Sequence, residues 1–412
     1  MIDIDLIRKN PQKVAQGLTK RNKDVALLEQ FQKIDDQWRT AMTTGEAIRT
    51  HQKKAAQERN IEKGKELKEE LKKQEDTIGR IEKERYELLL EFPNIPFDDV
   101  PVGKDERENK EIKKEGTVPS FDFPIQDHLQ LGEALNIIDV KTAAEVAGSR
   151  FYYLKGKGAL LEIALLHFAL DMLSSEGFEA IIPPVMIRPE VYEKMGRLSA
   201  SQREERYFLE KEQLYLIGSA EHTLGPLGMD TLHTPENFPK RYVGFSTAFR
   251  QEAGTYGKDA RGIFRVHQFD KVELYAFSLP EQSETEHQFL LSMQEKIYTA
   301  LEIPYRVVAI CTGDMGPTDA RQFDIEAWIP SQHTYREIAS CSNTTDYQTR
   351  GINAKVKKAD GTTQYAHALN ATGIAMGRTI IALLENNQQA NGSIRIPKAL
   401  VPYCGYDTIT HE

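Results

Sequence analysis

Two stretches in the first quarter of the chain repeat apolar or small residues at alternating spacings of four and three. The first stretch runs from Leu27 to Ala55 and the second from Leu67 to Leu88. This heptad spacing is typical of helices that pack along a narrow seam. A short break near residues 60–64 separates the stretches, so they are predicted to fold back on each other as an antiparallel helical hairpin.

The seam of this hairpin loses apolar residues towards its tip, where positive charge prevails. Residues 49–73 hold nine Lys or Arg side chains against five Glu side chains. The periodicity alone would also suit a packing element or a dimerisation coiled coil. The basic tip favours RNA as a partner, because a local patch of positive charge attracts phosphate even on an acidic protein.

The pattern changes after the hairpin. Five prolines between residues 92 and 124 exclude a regular helix and predict a polar linker. Beyond it, short extended and helical patterns alternate irregularly, without a clean βαβ rhythm. That favours an α+β domain with a mostly antiparallel sheet flanked by helices. Strands are predicted at 180–187, 242–250, 264–277, 305–310 and 323–329, a hairpin at 207–217, and helices at 160–175 and 373–388.

Composition narrows the picture only slightly. The 412 residues suggest two or three domains, and the formal net charge of −9 argues against a nucleic-acid partner only as an average. No uninterrupted apolar run approaches the roughly 18 residues of a membrane span, and the acidic N-terminus does not look like a secretory signal. The three cysteines lack zinc-type spacing, so free thiols in a cytoplasmic protein are expected.

The densest candidate chemistry lies in residues 249–273, which hold three arginines, three glycines and acids near both ends. Arg250 and Glu252 are two residues apart, so on a strand they would share one face. A guanidinium there can grip a polyphosphate, and a carboxylate can accept from an amine or amide. An exposed hairpin with scattered charge is the plainer alternative. The chain has no G-x-G-x-x-G or Walker A sequence, so a nucleotide would have to be held by side chains such as these.

The string FRQEAGTYGKDARGIFRVHQFDKVE at 249–273 closely resembles motif 2 of class II aminoacyl-tRNA synthetases, in the form found in seryl-tRNA synthetases. Gly177-Phe178 leading to Pro183-Pro184 resembles motif 1, and LNATGIAMGRT at 369–379 resembles motif 3. The similarity covers almost the whole chain. Further matching strings are DIDLIRKNP at 3–11, PVGKD at 101–105, GSRFYYLKG at 148–156 and YREIASCSN at 335–343.

This resemblance implies a serine–tRNA ligase. The serine carboxylate attacks the α-phosphorus of ATP, and the acyl group of seryl-adenylate then passes to the 3′ end of tRNA(Ser), with tRNA(Sec) as a further acceptor where it exists. Because the substrate is already a nucleophile, catalysis needs alignment and charge compensation. Arg250 and Arg378 are the implied catalytic residues, and Phe269 with Arg378 would sandwich adenine. The implied ATP-binding residues are Arg250, Gln251, Glu252, Val266, Phe269, Glu337, Ile338, Ala339, Ser340 and Arg378.

A site for serine must hydrogen-bond the substrate hydroxyl, because apolar burial cannot select a small polar amino acid. The resemblance assigns that role to Glu273 and Thr372, within a set of Ser219, Ala220, Glu221, Arg250, Glu273 and Thr372. The chain departs from the family here. The family commonly has Thr-Ala-Glu-Val where this chain has Ser219-Ala220-Glu221-His222, and many bacterial members have Gly-Ser at Ala371-Thr372. Residues 196–211 also match the family poorly.

The remaining implications concern ions, partners and domains. Glu337 and Ser340 are the implied Mg²⁺ ligands, with carboxylate and hydroxyl oxygens that suit this ion. Motif 1 implies a homodimer. The implied layout is a tRNA-binding domain at 1–100 with an arm at about 27–91, a linker at 101–125 and a catalytic domain at 126–412. The family's arm reaches the variable arm of its tRNA, so the implied phosphate contacts are Lys53, Lys54, Arg59, Lys63 and Lys65.

Two other functions fit parts of the pattern. A catalytically inactive paralogue could keep the fold as an RNA- or protein-binding module, but it should have lost phosphate or metal residues. Arg250, Glu252, Glu337 and Arg378 are all present. A ligase that loads a carrier protein would lack the long helical arm that this chain has.

Overall fold

The computed structural model describes residues 1–252 and 261–411, and the chain divides into two compact units, Met1–Ile95 and Pro96–Glu412. Gly254 and Gly257 of the motif 2 resemblance therefore lie outside the described residues. The first unit is helical throughout its regular structure. Its helices are α1 (Ile4–Lys9), α2 (Pro11–Lys20), α3 (Ala26–Gln57) and α4 (Ile61–Leu90).

Helices α3 and α4 form the hairpin that the heptad spacing predicts, and they run antiparallel. Gln74 of α4 donates to the Ala41 carbonyl of α3, and Arg49 pairs with Glu75. The Asn60 side chain caps α4 by accepting from the Lys63 N–H at 3.0 Å, as its residue type favours. The buried cluster near the tip contains Ile48, Ala55 and Leu67. The base is more extensively packed, with Ile2, Ile7, Val14, Leu18, Leu28, Phe31, Leu89 and Phe92.

A buried carboxylate sits among the apolar residues at the base of the hairpin. The Asp35 side chain is only 3% exposed and accepts hydrogen bonds from Arg8 Nε at 2.8 Å and Arg85 Nε at 2.6 Å. The Arg85 guanidinium also lies 4.7 Å from the Trp38 ring centroid. Burial alone would raise the pKa of Asp35, but the hydrogen bonds from Arg8 and Arg85 outweigh it and lower the pKa. One carboxylate thus ties α1, α3 and α4 together.

The second unit contains every described strand. Its helices are α5 (His128–Ala134), α6 (Val140–Ala147), α7 (Lys157–Ser175), α8 (Pro189–Lys194), α9 (Ala200–Arg203), α10 (Glu221–Leu224), α11 (Ser283–Ala300), α12 (Tyr347–Ile352), α13 (Met376–Asn386) and α14 (Val401–Cys404). Its longer strands are β1 (Lys110–Glu115), β9 (Lys240–Phe249), β10 (Gln268–Ser278), β11 (Tyr305–Ala309), β12 (Arg321–Ile329), β13 (Thr334–Asn343) and β16 (His367–Ala375). Its shorter strands are β2 (Ile138–Asp139), β3 (Tyr153–Leu154), β4 (Glu179–Ile181), β5 (Met186–Ile187), β6 (Phe208–Leu209), β7 (Leu214–Leu216), β8 (Leu232–His233), β14 (Lys355–Lys357), β15 (Thr363–Tyr365), β17 (Ile394–Arg395) and β18 (Thr408–Ile409).

Within the described residues, eight strands form the main sheet in the order β1-β11-β12-β13-β16-β10-β9-β4. All neighbours are antiparallel except β4 and β9, which confirms the predicted α+β class. Helix α11 covers part of one face. Its buried Gln294 side chain donates to the carbonyls of Ser340 in β13 and Thr372 in β16, each at 2.8 Å. The core between sheet and helices includes Leu165, Leu290 and Ile380.

Four of the predicted assignments need correction. The strand predicted at 180–187 is instead two short strands, β4 and β5, which belong to different sheets. Strand β1 lies inside the segment 101–125 that was predicted as a linker, and it pairs with β11 at the sheet edge. Its sequence, KEIKKE, has too few apolar residues to signal a strand, because every one of its side chains is exposed. The predicted helix at 373–388 begins only at Met376, since residues 373–375 end β16. The predicted strand at 264–277 begins only at Gln268.

Helix α7 is long and apolar enough to cross a membrane by length and composition alone. It is not an uninterrupted apolar run, because Glu162, His167 and Asp171 lie within it. In the structure α7 packs on the sheet, and the Leu165 side chain and its neighbours on that face lie in the main core. This packing accounts for the apolar residues on the face of α7 that lies against the sheet.

The Asp35 cluster generates a stability prediction. Asp35→Asn should lower the free energy of unfolding of the first unit by about 1–3 kcal/mol at pH 7, because the half-buried Arg85 and the exposed Arg8 lose the buried carboxylate to which both donate. The measurement is urea unfolding of the full chain in a Trp328→Phe background, so that Trp38 fluorescence reports this unit. Asp36→Asn is the matched control. Its carboxylate is exposed and pairs with Arg39, so the expected change is within about 0.5 kcal/mol.

The same interaction predicts a dependence on pH. Since the folded state lowers the pKa of Asp35 below its ordinary 3.8, the ionised carboxylate stabilises the fold above that value. The stabilisation is lost as pH falls through the folded-state pKa. The difference between the native chain and Asp35→Asn should therefore be constant from pH 7 to about pH 5 and shrink below about pH 4. A difference that stays constant down to pH 2 would contradict this account.

Candidate active site

Two one-residue bulges decide which side chains share a face of the sheet. Between β10 and β16, Val272 pairs with Ile374 but Glu273 pairs with Thr372, so Gly373 is the extra residue. Glu273 and Thr372 therefore lie directly opposite each other. Their side chains approach to 3.5 Å between Thr372 Oγ1 and Glu273 Oε2.

The second bulge lies between β12 and β13. Ile325 pairs with Ala339 but Glu326 pairs with Glu337, which leaves Ile338 as the extra residue. In a regular strand, Glu337 and Ser340 are three residues apart and would point to opposite faces. The bulge places them on the same face, so the two residues assigned to Mg²⁺ are able to act together.

Arg250 follows strand β9 and lies on the same side of the sheet as Glu273, because Gly244 pairs with Glu273 and side chains alternate from there. Its guanidinium carbon is 5.3 Å from the Phe269 ring centroid, and its Nε donates to the Gly218 carbonyl at 3.2 Å. Burial and then the positive charge of Arg206 lower the pKa of Arg250. A half-buried cation next to another cation is well suited to bind a polyanion.

Glu252 and Gln251 are committed to contacts within the protein. The Glu252 carboxylate pairs with Arg265 at 2.6 Å, and its backbone adopts a left-handed φ of 53°. Gln251 donates its side-chain amide to the Arg206 carbonyl at 2.8 Å. Three other residues assigned to ATP have buried side chains, so only their backbone atoms are available to a ligand. They are Val266, Ile338 and Ala339.

Arg378 lies in the first turn of α13 and contacts Glu337. Its Nη1 is 3.1 Å from the Glu337 backbone carbonyl and 3.1 Å from the carboxylate. The charge of Arg378 is the main cause of the lowered pKa of Glu337. The guanidinium carbon also lies 4.8 Å from the Phe264 ring centroid. Phe264 is an aromatic neighbour that sequence reasoning missed, since it was read as part of a strand.

The residues assigned to serine meet on this side of the sheet, and two of them are buried acids. Glu273 is paired with Lys271, whose Nζ lies 2.5 Å from Glu273 Oε2. Burial nevertheless raises the pKa of Glu273, because desolvation outweighs the attraction of Lys271. Lys271 stands two residues before Glu273 on β10. That spacing places the two charges on one face of the strand, which is a signal that the sequence contains.

Glu221, in contrast, is held ionised by a dense set of donors. It accepts from Arg197 at 2.7 Å and from Gln348 at 2.6 Å, and its own N–H donates to Ser219 Oγ at 3.1 Å. Burial raises its pKa, but Arg197 and then Gln348 outweigh that effect, so the pKa of Glu221 is lowered. Ala220, which lies between Ser219 and Glu221 in the sequence, is fully buried. Glu221 thus holds together the segments that carry Arg197 and Gln348. No sequence motif marked those two segments.

The two implied metal ligands supply only oxygen donors. Among the described residues no three His, Cys, Asp or Glu side chains come close enough together to hold an ion by themselves. Mg²⁺ usually binds through one or two protein groups together with substrate phosphates. The exposed Glu337 and the half-buried Ser340 on one face fit that requirement.

Comparison with known proteins agrees with this geometry. The family model described as the seryl-tRNA synthetase N-terminal domain matches residues 1–96, and that of the tRNA synthetase class II core domain (G, H, P, S and T) matches residues 207–387. A serine–tRNA ligase from Dictyoglomus thermophilum is 41% identical over 422 residues, with 99% of both chains covered.

Two solved structures match over the length of this chain. The seryl-tRNA synthetase of Pyrococcus horikoshii, complexed with ATP, has a TM-score of 0.92 at 38% identity and full coverage of both chains. The cytoplasmic serine–tRNA ligase of Naegleria fowleri, in complex with AMP, has a TM-score of 0.88 at 31% identity, with 100% of this chain and 99% of that chain covered. These matches establish that the chain belongs to the seryl-tRNA synthetase family of class II aminoacyl-tRNA synthetases.

Proposed function

We infer that the protein is an ATP-dependent, AMP-forming serine–tRNA ligase. The observation that carries this conclusion is the position of Arg250. Its guanidinium lies on the same side of the sheet as the buried Glu273 and Thr372, in a chain that matches serine–tRNA ligases over its full length. A cation that binds phosphate and a polar pocket for a small amino acid are thus adjacent.

The first chemical step requires little from the protein except placement. The serine carboxylate attacks the α-phosphorus, the bond to the bridging oxygen of pyrophosphate breaks, and pyrophosphate leaves. Arg250 compensates the negative charge that builds up on the α-phosphate oxygens. We propose that Phe269 and Arg378 hold adenine between an aromatic face and a guanidinium plane.

We propose that Glu337 and Ser340 hold Mg²⁺ against the phosphates of ATP. The ion, when bound, would offset phosphate charge and orient the pyrophosphate leaving group. Arg378 keeps the Glu337 carboxylate ionised, since its charge lowers the pKa of that group. An ionised carboxylate is the form that a divalent cation requires.

Selection of serine is assigned to Glu273 and Thr372. Both side chains are buried and polar, so a substrate without a hydroxyl group would leave part of their hydrogen-bonding capacity unfilled. Alanine should therefore be rejected through lost hydrogen bonding. Threonine should be rejected through lack of space for its methyl group.

The test of the proposed function is serine-dependent ATP–pyrophosphate exchange by the full chain, followed by charging of tRNA with labelled serine. Arg250→Ala should lower the exchange rate constant by about 10²–10³-fold, the usual cost of removing a donor that stabilises transition-state charge. Arg107→Ala is the matched control, since Arg107 is exposed and pairs with Asp105. If the native chain shows no exchange with any amino acid that is offered, the proposal is refuted and an inactive paralogue is favoured.

We propose that the hairpin binds tRNA(Ser), with residues 1–100 as the tRNA-binding domain, 126–412 as the catalytic domain, and tRNA(Sec) as a second acceptor. Support comes from the tip, where the candidate phosphate contacts are all exposed. They are Lys53, Lys54, Arg59, Lys63 and Lys65. We also propose a cytoplasmic location, where tRNA and ATP are present, without association with a membrane.

The triple variant Lys53→Glu, Lys54→Glu and Lys65→Glu should raise the KM for tRNA at least tenfold and leave the exchange reaction unchanged. The slope of log affinity against log salt should also fall by about 2, since each lost phosphate contact removes roughly 0.7–0.9. The control carries the same charge change at the base of the arm, as Lys9→Glu, Lys33→Glu and Lys83→Glu. Equal effects of the two variants would contradict a specific role for the tip.

We propose that the second unit forms a homodimer through α7 and the segment around β4. Large apolar side chains are exposed there, including Ile163 at 61%, Ile182 at 88%, Leu160 and Met186. An apolar patch of this kind marks a protein interface, and it coincides with the segment that resembles motif 1.

A charge placed in this patch should separate the subunits. Ile163→Asp combined with Ile182→Asp should give a monomer by sedimentation equilibrium where the native chain gives a dimer, because an unpaired carboxylate cannot be buried without cost. Val102→Asp is the control, since Val102 is 65% exposed outside the patch. A native chain that sediments as a monomer would overturn the proposal.

A further inference from the structure

Gly218 contacts Arg250 and His222 and lies close to Arg206. Its carbonyl accepts from Arg250 Nε at 3.2 Å, and its N–H donates to His222 Nδ1 at 3.3 Å. A Cβ at this position would lie 2.9 Å from Arg206 Nη1, so a side chain here would displace the end of the Arg206 side chain. The N–H and the carbonyl of Gly218 belong to consecutive peptide units that meet at its Cα, so the placement of this residue affects where the Arg250 guanidinium is held.

The contact with His222 fixes the state of the imidazole. A backbone N–H can only donate, so Nδ1 must be unprotonated and the ring proton is on Nε2. The Tyr192 hydroxyl, 2.9 Å from the same Nδ1, must then donate to it as well. Burial, followed by the charges of Arg206 and Arg197, holds the pKa of His222 well below its usual range. The acceptor is thus permanently available at neutral pH.

Two departures from the family pattern meet at this point. His222 stands where the family commonly has valine, which has no hydrogen-bonding group. Arg206 belongs to the segment 196–211, which matches the family poorly, and its guanidinium carbon lies 5.7 Å from the ring centroid of Tyr192. Residues that are separate departures in the sequence are neighbours in the structure, around the glycine that holds Arg250.

We propose that His222 is a positioning residue for Arg250: its neutral imidazole, through Nδ1, holds the N–H of Gly218, the residue whose carbonyl accepts from the guanidinium. The inference rests on the proposed serine-activating function and adds to it a device specific to this chain. His222 is not among the residues assigned to ATP or serine. Its effect reaches the reaction only through Gly218 and Arg250.

The test is a double-mutant cycle on serine-dependent ATP–pyrophosphate exchange. His222→Val should lower kcat about tenfold, in keeping with the loss of one buried acceptor and the misplacement of a charged donor. His222→Asn should recover kcat to within about threefold of native, because its Oδ1 is attached to the same carbon as Nδ1 and can accept the same bond. In an Arg250→Ala background, His222→Val should change kcat by less than about twofold, since coupled residues are not additive.

His233→Val is the matched control. His233 is also a buried histidine of the second unit, and it packs near Phe238 and Phe277. The kcat of the His233→Val variant should stay within about twofold of the native value even if its melting temperature falls. If His222→Val lowers kcat equally in both backgrounds, or if His222→Asn is no better than His222→Val, the positioning role is refuted. Those results presuppose an active native chain, so they are distinct from a native chain that shows no exchange.

Discussion

The alternation of side chains across an antiparallel sheet is the constraint on which the active site depends. One face of β10, β12, β13 and β16 must bury apolar side chains against helices, so the charges have to lie on the other. Two single-residue bulges set that division. Without the extra residue at Gly373, Glu273 would not face Thr372, and without the one at Ile338, Glu337 and Ser340 would diverge. The chemistry of the site is therefore a consequence of strand register.

Charge on that face is stabilised in two different ways. Glu221 has several donors and a lowered pKa, so it behaves as a fixed anion that anchors neighbouring segments. Glu273 has Lys271 beside it, but its pKa is raised, because the charge of this one cation does not offset the cost of burying the carboxylate. The first arrangement suits a structural role. The second leaves a polar group with unmet hydrogen-bonding capacity, which is what recognition of a small hydroxyl group requires.

The sequence predicted the helical hairpin and most outer strands, because heptad spacing and β-branched runs act locally. It did not predict β13, or β16 as a strand. The extra residues Ile338 and Gly373 interrupt the apolar–polar alternation that marks a strand, and Asn370 and Gly373 are poor strand formers. The candidate residues came from resemblance to a family. Their neighbours Arg197, Arg206 and Gln348 were missed, because they come from distant segments and only the folded sheet brings them together.

The buried Asp35 cluster has a mechanical consequence for the hairpin. Arginines from α1 and α4 converge on one carboxylate of α3, which clamps the register of the two long helices at that end. At the opposite end, Ile48, Ala55 and Leu67 form a far smaller seam. The helical hairpin should therefore be stiffer at its base than near its tip. Bending should concentrate near the tip, where the basic residues lie, while the helix pairing at the base stays in place.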